Sequence, residues 1–126
     1  MEAGKTYTFE QVIAWQKAHQ FVLLVYKYSS NFPHAEKYAL CSQFQRAATS
    51  IAVNIAEGYK KKSLNDKLRF FNISQGSIEE CRYYTILARD LEYINNNEFC
   101  ELRDSLEEVS KVLNAYCRSI IGVDGD

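Results

Sequence analysis

Apolar residues recur at spacings of three and four along four long segments of the chain, and short polar stretches separate these segments. This period matches one face of an α-helix, and no segment shows the strict alternation of a half-buried strand. The pattern predicts an all-α protein, and the short connections favour an antiparallel up-down-up-down four-helix bundle. With 126 residues the chain suffices for one core but not for two ordinary domains, so residues 1–126 are expected to form a single domain.

Residues that interrupt helical geometry set the ends of the first two predicted helices. The first helix is expected over about residues 9–30, because Pro33 disfavours helical backbone in the residue before it. The second helix is expected over about residues 34–59, with Gly58 as its terminating residue.

Capping residues set the starts of the last two helices. Ser63 can accept a backbone N–H from the first turn of a helix, and an acidic residue follows it three positions later. Asn95 and Glu98 have the same spacing. These signals predict a third helix over about residues 63–93 and a fourth over about residues 95–121.

The first predicted helix carries more apolar residues than one face can hold. Residues 21–26 read FVLLVY, and this uninterrupted apolar run covers more than a full helical turn. Leu23 or Leu24 is therefore expected to contact something outside the bundle, and another copy of the chain is the simplest candidate. An unusually deep first helix, or a few exposed leucines, is the alternative.

Gly76 lies inside the third predicted helix, where glycine costs about 1 kcal/mol relative to alanine. If the second and third helices form a hairpin that turns near residues 61 and 62, Gly76 lies level with Ala47 and Ala48. Close approach of the two backbones would then account for the glycine without a ligand.

A set of polar residues lies beside the apolar stripe of these two helices. Its members are Arg46, Ser50, Asn54 and Glu57 on the second helix, and Ser77 and Glu80 on the third. The hairpin register permits a bidentate ion pair between Arg46 and Glu80. Because buried polar groups normally satisfy one another, the set is interpreted as a network that specifies the fold.

Catalysis is the alternative interpretation of this polar set. Glu57 and Glu80 are the only plausible pair of carboxylates, and the register places them several turns apart. Neither His19 nor His34 follows a glutamate by three residues, as a di-metal site in a bundle requires. The sequence also lacks a glycine-rich phosphate loop and a nucleophile motif. No catalytic residue, metal site or cofactor is predicted, and the protein is expected not to be an enzyme.

The composition of the chain argues against a dedicated nucleic-acid-binding, secreted or membrane protein. The chain is 47% hydrophobic and 25% charged, with a net charge of −1 and a pI near 6.1, so it lacks the basic excess common in dedicated nucleic-acid-binding proteins. The four cysteines are widely spaced, and the N-terminal segment lacks the apolar core of a signal peptide. The longest apolar run is far shorter than a membrane span. A cytoplasmic protein without membrane association is expected.

Charge is unevenly distributed along the chain. Between Lys60 and Arg69 there are five basic residues and one acidic residue, whereas between Glu92 and Glu108 there are six acidic residues and one basic residue. A solvated loop is the plain explanation of the lysines, but parallel copies in a ring would form a basic rim able to contact several phosphates. The candidate contacts are Lys60, Lys61, Lys62, Lys67 and Arg69, with Tyr59 as a stacking surface for an unpaired base.

Three stretches of the chain carry a family pattern: WQKAHQFVLLVYKYSSNFP, QFQRAATSIAVNIAEGYKKKS and RFFNISQGSIEE. Over about residues 9–121 the chain resembles the bacterial four-helix-bundle proteins encoded within intervening sequences of large-subunit ribosomal RNA genes, a ribosomal-protein-like family. The resemblance implies an antiparallel bundle that assembles into a homopentameric ring, adds Gln43 to the polar set, and supplies no catalytic residues. The chain is also similar to the accessory variability protein of diversity-generating retroelements, a ring that binds a reverse transcriptase and nucleic acid.

Two functions remain open at this point. One is a non-enzymatic, ring-forming helical bundle that binds RNA or a ribonucleoprotein through its basic end. The other is a protein-interaction adaptor or scaffold that uses the ring for another protein and does not contact nucleic acid. Both hypotheses include another copy of the chain as a partner, and the first adds RNA or a nucleic-acid-handling protein.

Overall fold

The computed structural model describes residues 8–125, and this part of the chain contains helices, turns and no strand. Its four α-helices are α1 (Ile13–Ser29), α2 (Leu40–Lys60), α3 (Leu64–Asp90) and α4 (Asn96–Gly125). Two short 3-10 turns, Phe9–Gln11 and His34–Glu36, precede α1 and α2. The predicted all-α class and the four helices are confirmed, while both ends of the predicted domain 1–126 lie outside the described residues.

The first two helices begin later than predicted. Phe9–Gln11 is a separate 3-10 turn, because Val12 is extended with φ −78° and ψ 122° before α1 begins. His34–Glu36 is also a separate turn, and Ala39 has a non-helical φ of −120° and ψ of −107° before α2 begins. The predicted boundaries therefore joined each helix to the turn in front of it.

The helix caps lie where the sequence predicted them. The Ser63 hydroxyl accepts a hydrogen bond from the backbone N–H of Asp66 at 3.1 Å. At α4, the Asn95 side chain accepts from the N–H of Glu98 at 2.8 Å, and the Glu98 carboxylate accepts from the N–H of Asn95 at 2.9 Å. These bonds satisfy donors that a helix start leaves without an intrahelical partner. The third helix is shorter than predicted, because Glu92 adopts a φ of 63° in the turn that follows it.

The four helices contact one another in a closed cycle. Helix α1 packs against α2 and α4, and α3 packs against the same two helices, whereas in the described chain the backbones of the diagonal pairs stay farther apart. The side formed by α1 and α4 is therefore opposite the side formed by α2 and α3. Between α2 and α3, the residue numbers of the partners fall in one helix as they rise in the other, from Ile51 with Ser74 to Gln43 with Tyr84.

The core is built from the inward stripes of all four helices. Its largest fully buried side chains include Phe21 from α1, Phe44 from α2, Phe71 from α3 and Leu106 from α4. Burial of a side chain of this size contributes about 1.5–3 kcal/mol relative to leaving it exposed. Within residues 8–125 none of the helices combines the length and the apolar character needed to cross a membrane.

Two glycines lie in environments opposite to those predicted. Gly58 does not end α2 but lies inside it, and a Cβ atom on Gly58 would come within 2.6 Å of the Phe71 ring. Gly76 is exposed, and a Cβ atom there would meet no atom within 4 Å. The predicted close approach of Gly76 to Ala47 and Ala48 is therefore wrong, and it is Gly58 that permits close packing.

Candidate nucleic-acid interface

The basic stretch lies at one end of the bundle, where α2 ends and α3 begins. Tyr59 at this end lines a cavity together with Val12 and Ile13 from the start of α1. At the other end, the hydroxyl of Tyr28 at the close of α1 donates a hydrogen bond to Glu101 near the start of α4. The basic residues 60–69 and the acidic residues 92–108 are thus separated along the length of the molecule.

Lys67 is bound to the helix that precedes it. Its ammonium donates to the backbone carbonyl of Tyr59 at 2.7 Å and to that of Gly58 at 3.5 Å. Carbonyls at the end of a helix lack intrahelical partners, and a cation there complements the helix dipole. The same ammonium lies 5.6 Å from the centroid of the Tyr59 ring. Lys67 therefore stabilises the connection between α2 and α3, and this role competes with a phosphate contact.

Phe70 is an aromatic residue at the basic end that the sequence alone did not indicate. The Lys61 ammonium lies 4.9 Å from the centroid of its ring, and the Arg69 guanidinium lies 5.2 Å from it. Arg69 also forms an ion pair with Asp66 at 3.8 Å, in which both side chains are more than half exposed. The sequence RFF places one cation beside Phe70, but only the fold brings Lys61 to the same ring.

Lys60 and Lys62 make the fewest contacts with other side chains among the five predicted cations. Both are exposed, and the ion pairs and cation–π contacts found in the described part of the chain involve neither. Arg118 on α4 lies at the same end. The hydrogen bonds of Gln75 with Asn114 and of Arg82 with Glu107 fix the register of α3 against α4. In this register Arg118 lies level with residue 71. The sequence alone does not associate Arg118 with the lysines, because it is far from them along the chain.

A shallow cavity of about 560 Å³, open to solvent, adjoins the basic residues at this end of the bundle. Its walls come from the start of α1, the end of α2 and the second half of α4; the lining residues are Thr8, Gln11, Val12, Ile13, Ala14, Tyr59, Val112, Ala115 and Tyr116. Tyr116 packs edge-on against Phe71 with ring centroids 5.4 Å apart. Tyr59 contributes both to this cavity and to the contact with Lys67.

Part of the predicted polar set forms a hydrogen-bonded link between α2 and α3. The Ser50 hydroxyl accepts from the hydroxyl of buried Ser77 at 2.8 Å and from the Asn54 amide at 3.1 Å. Asn54 also donates to the backbone carbonyl of Ser50 at 2.8 Å. These bonds satisfy the polar groups at the middle of the interface, as buried polar groups require.

The remaining members of the polar set are exposed. The ion pairs of residues 8–125 do not include one between Arg46 and Glu80, so the predicted bidentate pair is wrong. Both side chains line an open groove of about 330 Å³, in which the Tyr84 hydroxyl donates to Gln43 at 3.2 Å. Because water reaches Arg46 and Glu80, pairing them would gain little over hydration. Glu57 is exposed as well.

Towards the acidic end, Arg82 on α3 forms a bidentate ion pair with Glu107 on α4. Its guanidinium donates to the two carboxylate oxygens of Glu107 at 2.7 and 2.8 Å, and it also contacts Glu79. The hydrogen bond and the positive charge of Arg82 lower the pKa of Glu107 below its usual range. This bidentate geometry is the strongest arrangement available to an arginine and a carboxylate.

Leu23 and Leu24 lie in a groove of about 510 Å³ between α1 and α4. Leu23 is 56% exposed, although it belongs to the apolar run of α1. Glu101, Asp104 and Glu108 form the acidic side of this groove, and Glu108 is 4.0 Å from Lys17. We call this surface the α1–α4 face.

A second exposed apolar surface lies on the opposite side of the bundle. Val53 on α2 and Ile73 on α3 are 55% and 46% exposed. Their spacing along the two helices places them on the same side as Arg46 and Gly76. We call this surface the α2–α3 face.

Two of the four cysteines, Cys81 and Cys117, are buried in the core. Burial raises the pKa of the Cys81 thiol and, to a smaller extent, that of Cys117, so both stay protonated near neutral pH. Among residues 8–125, side chains of His, Cys, Asp and Glu do not come together in groups of three that could hold a metal ion.

Both the sequence and the fold of this chain are similar to those of known proteins. The model of the 23S rRNA-intervening sequence protein family matches residues 10–115. The fold is similar to the crystal structure of a protein of unknown function from the S23 ribosomal protein family of Bacteroides thetaiotaomicron VPI-5482, with a TM-score of 0.77 and 22% sequence identity over 84% of this chain and 96% of that chain. At this identity the likeness shows the fold alone. Among curated proteins, none matches the chain.

Proposed function

Because the chain belongs to the 23S rRNA-intervening sequence protein family, we propose that it is a non-enzymatic, ring-forming helical bundle that binds RNA or a ribonucleoprotein through its basic end. The observation that carries the proposal is the separation of charge along the bundle. Lys60, Lys62 and Arg118 are exposed at one end, while the acidic stretch 92–108 lies at the other. A polyanion is therefore attracted to one end and repelled from the other.

Phosphate contacts from a single copy would be few, since only some of the cations are free. Each contact with a phosphate displaces condensed counterions and adds to affinity in a salt-dependent way. Several copies with their basic ends on one rim would multiply these contacts. Self-association is therefore part of the proposed RNA-binding function.

The two exposed faces support self-association. The α1–α4 face presents Leu23 beside acidic side chains, whereas the α2–α3 face presents Val53 and Ile73 on the side that carries Arg46 and Glu80. Apolar area on both faces favours a contact between them. Gly76 leaves room on the second face for the backbone of a neighbouring helix.

The positions of the two faces favour a ring. Because they lie on opposite sides of the bundle, a contact between the first face of one copy and the second face of the next is heterologous, and such contacts close into rings or continue as filaments. An antiparallel order of the four helices is supported by the way partner numbers fall in α2 as they rise in α3. In a closed ring of such bundles all basic ends lie on one side, and the family resemblance implies five copies.

A titration of labelled structured RNA at low and near-physiological salt tests the proposal, with the mass of the oligomer recorded on the same samples. The wild-type protein should bind at low salt, and its affinity should fall steeply as salt rises. The double variant Lys60→Glu and Lys62→Glu should bind more weakly. The slope of log affinity against log salt should become shallower by about 1.5, because the loss of each of the two phosphate contacts lowers the magnitude of the slope by about 0.7–0.9.

A matched control makes the same change of charge at the other end of the bundle. Lys27→Glu with Lys37→Glu replaces two exposed lysines near the end of α1 and the start of α2. This control should retain the slope of the wild-type protein. Equal weakening by both double variants would show a response to net charge alone, and an unchanged slope in the first variant would reject the basic end as the RNA contact.

The adaptor function remains the second candidate, and one observation favours it. Lys61 and Arg69 lie over Phe70, and Lys67 is bound to the end of α2, so three of the five predicted cations are already engaged. The acidic, partly apolar α1–α4 face fits a basic protein segment. Capture of a stoichiometric protein from nuclease-treated lysate by an intact oligomer that binds no RNA at low salt would favour this function.

A further inference from the structure

We infer that the cavity between Tyr59 and Tyr116 binds an unpaired nucleobase of RNA while the adjoining lysines contact the phosphates on either side of that base. The inference rests on the proposed function and assigns a specific site to it. It predicts that the protein distinguishes RNA with accessible bases from an equally charged backbone without them.

The size and the walls of the cavity suit a flat aromatic ligand. Its volume of about 560 Å³ lies in the range of small-molecule pockets. Two tyrosines and the apolar side chains of Val12, Ile13 and Val112 supply surface on which a base can stack. Ile13 is 55% exposed at the first turn of α1 and contributes apolar surface to the cavity.

Two polar groups in the walls can recognise the edge of a base. The Gln11 side chain accepts the backbone N–H of Thr8 at 3.2 Å through its oxygen, and in the described residues its amide nitrogen donates no hydrogen bond. The Tyr116 hydroxyl remains a donor, because burial raises its pKa. Two donors suit the carbonyl oxygens of uracil, cytosine or guanine.

The neighbourhood of Tyr59 favours a base within a nucleic acid over a free aromatic compound. Lys60 follows Tyr59 directly, and the Lys67 ammonium lies 5.6 Å from the centroid of the Tyr59 ring. None of the nine side chains that line the cavity is acidic. An aromatic wall next to the exposed Lys60 is the combination that single-stranded nucleic acids require, because each nucleotide carries both a base and a charge.

A pair of probes with equal charge tests this inference on the full chain. The first probe is a dodecamer of uridine, and the second is the same ribose–phosphate backbone without bases. The wild-type protein should bind the uridine probe about tenfold more tightly than the abasic probe, as expected when a base stacks on an aromatic side chain.

Two cavity variants should remove this preference by weakening the binding of the uridine probe. Tyr59→Leu removes an aromatic wall and keeps an apolar one, and Ala115→Leu narrows the cavity from an exposed position on α4. The matched control is Ala35→Leu, an exposed alanine at the other end of the bundle, which should keep the tenfold preference. The double variant Lys60→Glu and Lys62→Glu should weaken binding of both probes by the same factor.

The outcomes separate this inference from the proposed function. Equal binding of the two probes by the wild-type protein, with weakening by the lysine variant, would retain the RNA contact and overturn the base site. Loss of preference in Ala35→Leu as well as in the cavity variants would also overturn it. If the wild-type protein bound neither probe at low salt, both the base site and the RNA function would be rejected.

Discussion

The five basic residues predicted as RNA contacts have three different environments. Lys67 is bound by carbonyls at the end of α2, Lys61 and Arg69 lie over an aromatic ring, and Lys60 and Lys62 are exposed. Residue type determines the charge of such a side chain. Its availability to a ligand depends on the groups that the fold places beside it, so a run of lysines predicts a surface better than it predicts individual contacts.

Alanine should have opposite effects at two glycines of the α2–α3 pair. Gly58→Ala places a methyl group 2.6 Å from the buried Phe71 ring, and overpacking of this kind typically destabilises by about 1–3 kcal/mol. Gly76→Ala meets open space and should stabilise α3 by about 0.5–1 kcal/mol. Urea unfolding on a Leu23→Glu background, in which assembly does not contribute, measures both effects. Destabilisation by Gly76→Ala in that monomer would contradict the open environment.

At the scale of helices, the pairing of α2 with α3 shows the limit of a register counted from a turn. A turn near residues 61 and 62 placed Gly76 opposite Ala47 and Ala48. The observed bonds join Ser77 to Ser50 and Ser74 to Ile51, which shifts the pairing by about three residues. The shift leaves serines at the close contact between the two helices.

The α3–α4 contact through Arg82 and Glu107 should make stability depend on pH in the acid range. Because the pKa of Glu107 is lowered in the folded protein, the contribution of the pair is fully present above the pKa of an unfolded glutamate, about 4.3. It is lost as the pH falls through the folded value. Glu107→Gln should therefore reduce the free energy of unfolding at pH 7 and have little effect near pH 2.

Chemical unfolding at a series of pH values measures this dependence. Both side chains of the pair are partly exposed, so the effect should be modest. Glu108→Gln is the matched control, since the ion pair of Glu108 with Lys17 spans 4.0 Å and should contribute less. A Glu107→Gln effect of the same size at pH 7 and pH 2 would show that its cause is packing and not charge.

At the scale of the whole molecule, charge and apolar surface are arranged in two different directions. Charge is separated along the bundle, with basic residues at one end and acidic residues at the other. Across the bundle, the exposed Leu23 lies on the α1–α4 face, and the exposed Val53 and Ile73 lie on the opposed α2–α3 face. Lateral contacts between copies would therefore leave the basic ends uncovered, which makes assembly compatible with RNA binding.

Mixing two face variants tests whether the proposed contact is heterologous. Leu23→Glu blocks the α1–α4 face, and Ile73→Glu blocks the α2–α3 face, so each variant alone should be a monomer. An equimolar mixture should form a dimer and nothing larger, because each variant retains the one face that the other lacks. Native mass spectrometry measures the masses. If one variant alone formed a dimer, the contact would be isologous and the ring would be excluded.

The amino-acid sequence by itself determined the features that depend on short stretches of chain. The spacing of apolar residues predicted four helices, and the capping residues Ser63 and Asn95 predicted two helix starts, because a helical period and a cap each involve only a few neighbouring residues. The sequence also indicated the protein family, because contiguous motifs carry the family pattern. The surplus of apolar residues in α1 indicated an exposed leucine, and Leu23 is exposed.

Only the tertiary structure decided which residues from distant stretches meet. In the structure Arg46 and Glu80 do not form the predicted ion pair, Gly58 is closely packed and Gly76 is exposed. The fold also places Phe70 and Arg118 at the basic end. It also formed the cavity of Tyr59 and Tyr116 from three helices that are far apart in the sequence. Such contacts depend on the register and rotation of packed helices. A shift of about one turn changes the partner of every side chain, and local propensities cannot resolve a shift of that size.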